Sequence, residues 1–412
     1  MSDLASRFRA SWDEIAPVGR DADSGGYLRY ALTAPELRLR EWFRAQAERR
    51  GMPVSTDGNG NLFAWWGDQN GNPPGDAGQG GAAGGGAVLT GSHLDSVPHG
   101  GAYDGPLGIV SAFLAVDELR AAGADPVRPV VVAAFVEEEG ARFGVPCLGS
   151  RLLTGEIDPD RAAGLRDAAG VSFADALGAR PAGADPALSD RFATFVELHV
   201  EQGRALVDAG APVGVASAIW PHGRWRFELR GEGNHAGTTR MADRRDPMLT
   251  FAFTVLAANK EARLRGAHAT VGRVAVEPNA TNAVPSTVTC WLDARAAAPE
   301  TLRELVEAVH AKAAERARRD GTELTVTPES ATPPVAFDAG LTGRLAELLA
   351  APVLPTGAGH DAGVLAARLP TAMLFVRNPT GVSHSPAESA TDDDCAAGVV
   401  ALARVLEELA CR

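Results

Sequence analysis

The chain has 412 residues, 45% hydrophobic and 22% charged, the composition of a globular protein with material for two domains and a sizeable core. Its 52 acidic against 39 basic side chains leave a formal charge of −13, which argues against a nucleic-acid or anionic-membrane surface and says little about a small substrate. Four scattered cysteines, a start without the features of a signal peptide and the lack of a bilayer-length apolar run lead to the expectation of a cytoplasmic protein with free thiols.

Helical spacing of apolar residues predicts helices over Ser6 to Ile15 and Pro35 to Ala47, the second with Thr33 as its cap. Val54 to Gly67 reads as two short strands about the turn at 57–60. The glycine-rich stretch between Gly67 and Gly86 is expected to be a flexible loop between strands, without chemistry; it lacks the Lys-Ser/Thr ending of a phosphate loop. Ala87 to Leu89 reads as the end of a buried strand, Thr90 to Pro106 as a polar, glycine-dense loop, and Leu107 to Arg120 as a helix. That loop carries His93, Asp95, His99 and Asp104, beyond a strand end, where open α/β sheets bind ligands.

Pro129 to Val136 is a second buried strand, ending in Glu137, Glu138 and Glu139, adjacent carboxylates that repel one another unless a cation sits there. Residues 150–190 read as helices with loose connections. Phe195 to Gly203 is a third strand-like run, carrying His199. After Gly214 the pattern changes to strand, helix, strand, strand, helix, strand, through Trp225 to Leu229, Pro247 to Arg265, Thr270 to Val276, Ser286 to Ala294, Pro299 to Arg319 and Glu323 to Thr327. This order makes an inserted α+β sandwich at 215–330 within an α/β, mixed-sheet catalytic domain formed by 1–214 and 331–412. The last part returns to helix and strand alternation and carries His360, Asp361 and His384.

His93, Asp104, Glu139, His199 and His384 together can hold two divalent ions if Asp104 bridges them, and imidazole with carboxylate suits zinc, manganese, cobalt or nickel. Two such ions suit amide hydrolysis, provided a carboxylate off the metal takes a proton. Glu138 is the best candidate for that base.

The segments GSHLDSVPHGGAYDGPLG, VEEEGARF, ELHVEQG, GNHAGTTRM, PNATNAVP and GVSHSPAE resemble those of the M20-type two-metal amidohydrolases, specifically the hydantoinase/carbamoylase branch. The branch includes N-carbamoyl-L-amino-acid hydrolases, allantoate amidohydrolases and β-ureidopropionases, and the resemblance covers nearly the whole chain. It implies that His93 and His199 serve one ion, Glu139 and His384 the other, and Asp104 both, with Glu138 as general base. It also implies a cis peptide after Asp104, Asp95 orienting His93, and His360 and Asp361 as outer support for the ligands. His235 would stabilise an oxyanion in the partner subunit's site, Asn282 and Arg295 would grip the substrate carboxylate, and Gln202 would contact the ureido group. A homodimer through the inserted domain follows from the same resemblance.

Arg240 and Arg377 depart from the family pattern, and Arg377 is a candidate extra anion contact, which would suit a substrate with a second polar arm such as allantoate. The leading expectation is hydrolysis of the ureido amide of an N-carbamoyl-L-amino acid or related ureido acid, releasing ammonia and carbon dioxide. Allantoate as the physiological substrate is the alternative, then an N-acyl-amino-acid deacylase or dipeptidase, and, from another class, a binding protein that kept the fold.

Overall fold

The computed structural model describes residues 3–67 and 86–412; most of the glycine-rich stretch expected as a flexible loop lies, at 68–85, outside the described residues. The chain divides into two units, one of Met1–Ser217, Ala336–Leu354 and Gly359–Arg412, the other of Ala218–Val335 with Pro355–Ala358. The short piece Pro355–Ala358 groups with the second unit because Thr356 O accepts from Trp220 N and Gly357 O from Arg295 Nη1.

The strands, in chain order, are β1 (Val54–Thr56), β2 (Leu62–Trp66), β3 (Ala87–His93), β4 (Val130–Phe135), β5 (Phe192–Val200) and β6 (Val213–Ile219). There follow β7 (His222–Arg230), β8 (Asn234–His235), β9 (His268–Glu277), β10 (Ala283–Val284), β11 (Thr287–Arg295) and β12 (Glu323–Thr332), then β13 (Val335–Ala336), β14 (Val353–Thr356) and β15 (Thr371–Val376). Among the described residues the larger sheet has nine strands in the order β1-β2-β4-β3-β5-β15-β6-β13, with β14 beside β6. Its centre is parallel: β3 runs with β4 and with β5, and β5 with β15. The carboxyl ends of these four strands therefore gather on one edge, which sets where ligands can bind.

Strands β3, β4 and β15 are buried along their whole length, as expected for strands covered on both faces. The helix Pro106–Ala121 is apolar nearly all round and packs against both this sheet and the C-terminal helix Asp392–Ala410. Gly108 permits its close approach to the sheet, since a Cβ there would run into the Leu198 carbonyl oxygen. Strand β3 continues through His93, four residues beyond the predicted strand end at Leu89. Thr90, Gly91 and Ser92 are small enough to extend the buried strand despite their polarity. Thr33 sits at the cap position of Ala34–Arg49 without capping it; its hydroxyl donates to Tyr30 O, and Glu36 accepts the Leu32 N–H instead.

In the second unit an antiparallel sheet in the order β12-β7-β11-β9 packs one face on the helices Pro247–Arg265 and Pro299–Asp320. Strict alternation along β11 buries Val288, Cys290, Leu292 and Ala294, the last three in that core, and leaves Asp293 and Arg295 on the other face. The strand β12 runs on to Thr332, past Pro328, where its register with β7 shifts.

Candidate metal centre

The edge where the parallel strands end collects the side chains singled out by the sequence. His93 closes β3, Glu137 to Glu139 follow β4, His199 lies at the end of β5, and His384 lies in the loop after β15. Asp104 stands just before the helix Pro106–Ala121, where the positive end of the helix favours a carboxylate.

Besides a group of Glu197 with His199 and His360, two groups of ligand atoms form here, His93 with Asp104 and His199, and Asp104 with Glu139 and His384, each with its donor atoms within 4.8 Å of one another. Asp104 belongs to both. Its Oδ1 lies 3.4 Å from His93 Nε2 and 3.0 Å from His199 Nε2, while Oδ2 lies 3.4 Å from His384 Nε2. Glu139 Oε2 is 3.6 Å from His384 Nε2.

The tautomers explain why these atoms fit a cation. His93 Nδ1 faces the Asp95 carbonyl oxygen at 3.1 Å and His199 Nδ1 the Val200 carbonyl oxygen at 2.9 Å. A carbonyl only accepts, so each Nδ1 carries the proton and each Nε2 presents a lone pair. Both Nε2 atoms are buried without a hydrogen-bond partner, and they point at a carboxylate that also has only lone pairs to offer. These donors would suit a divalent ion, whose charge would turn this repulsion into attraction.

The titration properties carry the same signature. Burial, with the charge of Asp104, pushes Glu139 up to about 7. His384 is pushed up to about 9, first by its hydrogen bond to Asp104 and then by the charge of Glu139. Burial also holds Glu138 well above the usual carboxylate range, whereas His199, His384 and His93, all raised and so protonated when no ion is bound, outweigh burial and keep Asp104 well below it. Without a divalent charge the cluster satisfies itself with protons.

Glu138 is in neither ligand group. Its Oε2 lies 3.7 Å from His93 Nε2, beside the cluster. Asp95 holds the turn that carries both glutamates, since its two carboxylate oxygens accept the backbone N–H groups of Glu138 and Glu139 at 3.2 and 3.1 Å. Its carboxylate stands 3.6 Å from His93 Nδ1, so the hydrogen bond that orients His93 goes to the Asp95 backbone carbonyl rather than to the side chain. Glu137 is directed away from the ligands: its Oε1 accepts the N–H groups of Arg142 and Phe143.

The peptide after Asp104 is not cis; among the described residues the cis bond is Glu277–Pro278. Gly105 turns the chain instead through φ 86° and ψ −67°, a conformation open to glycine but strained for other residues. Gln202 Nε2 donates to Asp104 Oδ2 at 2.7 Å, and its Oε1 is buried without a partner. The His360 ring lies 4.5 Å, centroid to centroid, from His199, with a buried, unpartnered Nε2; Asp361 bonds Ser150 at 2.5 Å. Arg377 pairs with Asp394, donating through Nη2 at 2.7 Å and Nε at 3.2 Å.

In the second unit His235 is exposed, and its Nδ1 accepts the N–H groups of Gly237 and Thr238, so the neutral ring presents Nε2–H as a donor. Asn282 is exposed next to β10, whose Ala283 pairs with His235 across the short ladder. Arg295 is half-buried, with one edge on Asp293 and Nη1 on Gly357 O, bonds that leave two of its five N–H groups free.

Three buried carboxylates or donors of this region are not among the site residues read from the sequence. Glu388 Oε1 accepts the backbone N–H groups of Tyr103 and Asp104, from 285 and 284 residues away in the chain. Glu197 accepts from Ser92 Oγ and Ala362 N, and Cys147 donates to Glu138. Only the adjacency of Glu388 to His384 and of Glu197 to His199 could have drawn attention to the first two.

Residues 89–408 match the family model described as peptidase family M20/M25/M40. An N-carbamoyl-L-amino acid amidohydrolase of Geobacillus stearothermophilus is 37% identical, over 96% of either chain. An allantoate amidohydrolase of Escherichia coli (strain K12) is 34% identical over 99% of either chain. A hydantoinase/carbamoylase family amidase from Burkholderia ambifaria superposes with a TM-score of 0.83 at 29% identity, covering 98% of this chain and 97% of that one.

Proposed function

Since the chain belongs to peptidase family M20/M25/M40 and is an amidohydrolase of the hydantoinase/carbamoylase kind acting on non-peptide C–N bonds, we propose that it hydrolyses N-carbamoyl-L-amino acids with two divalent ions per subunit. The observation that carries this reading is the pair of ligand groups sharing Asp104, with the carboxylate of Glu138 beside them and on neither. When bound, zinc, manganese, cobalt or nickel ions supply an acidified water and a polarised carbonyl.

Glu138 accepts the proton of the attacking water and returns it to the amino-acid nitrogen as the C–N bond breaks. The carbamic acid released falls apart to ammonia and carbon dioxide. Gln202, anchored on Asp104 through Nε2, keeps Oε1 free as an acceptor for the terminal NH2 of the ureido group. The substrate carboxylate is assigned to Asn282 and to the two remaining N–H groups of Arg295, and the oxyanion in the partner subunit's site to the Nε2–H of His235. His360 and Asp361 support the ligands from behind.

Allantoate is the second reading, favoured by the 34% identity to an allantoate amidohydrolase over almost the whole chain. Its other support, a free Arg377 for a second polar arm, is weakened by the Asp394 pairing. Replacing Glu138 by Gln tests the assignment: the variant should keep two ions per chain and lose at least about a hundredfold in kcat, a scale typical of a general base. Full turnover would remove Glu138 from the mechanism.

A homodimer through the inserted unit is supported by Leu249, Phe253, Leu256 and Leu264, large apolar side chains exposed on the helix Pro247–Arg265, and by Val274 exposed on the edge strand β9. Light scattering of Leu256→Asp, giving a monomer where the parent is a dimer, is the check. Four unpaired cysteines support a reducing, cytoplasmic setting. Among the described residues no helix is long and apolar enough to cross a membrane.

A further inference from the structure

Three consecutive backbone hydrogen bonds pair the residues that follow β4 with the start of the helix Leu148–Thr154: Cys147 N to Glu138 O at 2.6 Å, Leu148 N to Glu137 O at 3.0 Å, and Gly149 N to Val136 O at 2.9 Å. Cys147 therefore stands directly opposite Glu138. It takes φ 54° and ψ 36°, a left-handed conformation with no intrinsic appeal for a cysteine. In that conformation the thiol reaches back across the pair, and Sγ lies 3.5 Å from Glu138 Oε1. The Cys147 carbonyl is fixed as well, by Ser150 Oγ at 3.1 Å, and Ser150 is itself bonded to Asp361.

Glu138 has few other restraints on its carboxylate. Its backbone is held by Asp95, but among the described residues the thiol is the one side-chain donor hydrogen-bonded to it; His93 Nε2, 3.7 Å from Oε2, presents a lone pair. A carboxylate that must stay off the ions yet beside them needs something on its far oxygen to stop it swinging onto a ligand position. The other roles open to a cysteine do not fit. Cys147 is buried, with its thiol pushed well above the ordinary value by burial and then by the charge of Glu138, which makes it a poor nucleophile and a poor target for oxidation.

We propose that Cys147 is the positioning residue of Glu138: its thiol donates to Glu138 Oε1 and holds the opposite oxygen, Oε2, toward the ligand cluster. This rests on Glu138 being the base, as argued above. The left-handed backbone at Cys147 is the conformational cost of aiming that thiol.

The test compares Cys147→Ala and Cys147→Ser with the parent enzyme, all manganese-loaded, on whichever of allantoate and N-carbamoyl-L-methionine is turned over faster, with metal content, KM and kcat measured for each. Removing the donor in Cys147→Ala should lower kcat about tenfold, the scale of one hydrogen bond to a charged group, with KM within about twofold and two ions still bound. Cys147→Ser, which restores an O–H donor on the same backbone, should recover most of the loss. Equal losses in both variants, a matching rise in KM, or loss of metal would mean that the residue only fills space and would overturn the proposal. Glu138→Gln is run alongside. If it is inactive while Cys147→Ala keeps full kcat, the positioning role alone falls; if Glu138→Gln is itself fully active, the base assignment falls and takes the positioning role with it.

Discussion

Gly105→Ala is the change that the geometry predicts most sharply. A Cβ at this position would lie 2.5 Å from Nδ1 and 2.7 Å from Nε2 of His93. The imidazole cannot retreat easily, because it is completely buried and tied through Nδ1 to the Asp95 carbonyl. Restoring ordinary contact at about 3.5 Å requires the ring to move by about 1 Å. Metal–nitrogen bonds tolerate displacements of only about 0.2 Å, so the His93 ion site is lost or weakened by about a hundredfold or more. The backbone adds a cost of about 1–3 kcal/mol for a non-glycine residue at φ 86°, and crowding a packed interior another 1–3 kcal/mol, for a total of about 2–6 kcal/mol. The assay is chelator competition for manganese on parent and variant, with thermal unfolding of both metal-free forms. Two ions bound by the alanine variant with parental affinity would refute the coordination assigned to His93.

Other perturbations separate support from chemistry. Glu388→Ala leaves the buried N–H groups of Tyr103 and Asp104 without an acceptor and should cost about 2–5 kcal/mol of stability, whereas Glu388→Gln, which keeps an acceptor oxygen, should cost less than half as much; equal losses would show that the charge matters more than the two bonds. Arg377→Ala strands the nearly buried Asp394, and should lower stability by about 1–3 kcal/mol, below the usual cost of breaking a buried pair because the guanidinium is 32% exposed. A tenfold rise in KM without loss of stability would return Arg377 to the substrate. Metal affinity should rise with pH, most steeply below about 7, where ion binding displaces protons from both Glu139 and His384, less steeply between about 7 and 9, where His384 alone still carries one, and level off above about 9. Both folded values lie above the unfolded ones, so these groups stabilise the metal-free protein fully at low pH and cease to do so as pH rises through about 7 and then about 9. Melting curves from pH 6 to 9 should therefore converge at the acid end and separate at the alkaline end, metal-loaded above metal-free; parallel curves would contradict the proton inventory.

Periodicity made the buried parallel strands and the long helices of the inserted unit readable in the sequence, and the helix predicted for Pro247 to Arg265 matches the observed bounds. Elements whose burial owes nothing to apolar side chains were not readable in that way. The last four residues of β3 are Thr90, Gly91, Ser92 and His93, polar or small, and they resemble a loop until the sheet covers them. Strand β6 contains Gly214, Ala216 and Ser217, carries little hydrophobic alternation, and is fixed mainly by its pairing with β15 and β14.

At the site, residues whose chemistry is intrinsic stood out, above all histidines and adjacent acids at strand ends. Those whose importance lies in a distant partner did not. Glu388 takes its meaning from two backbone N–H groups on the Asp104 loop, and Cys147 from a backbone turn that no residue type announces. Arg377 shows the same limit from the other side, since the sequence offers an arginine next to a ligand loop but not its pairing with Asp394.

The most direct measurement is metal analysis and ammonia release on the same preparation: protein stripped of metal, then titrated with manganese, cobalt, nickel or zinc in the presence of allantoate and a panel of N-carbamoyl-L-amino acids. Ammonia release that is absent without metal and reaches its maximum at two ions per chain, with kcat/KM highest on a carbamoyl amino acid, is the predicted result. Maximal turnover at one ion per chain would contradict the role given to Asp104, and cleavage of N-acyl amino acids or dipeptides but of no ureido acid would contradict the proposed reaction.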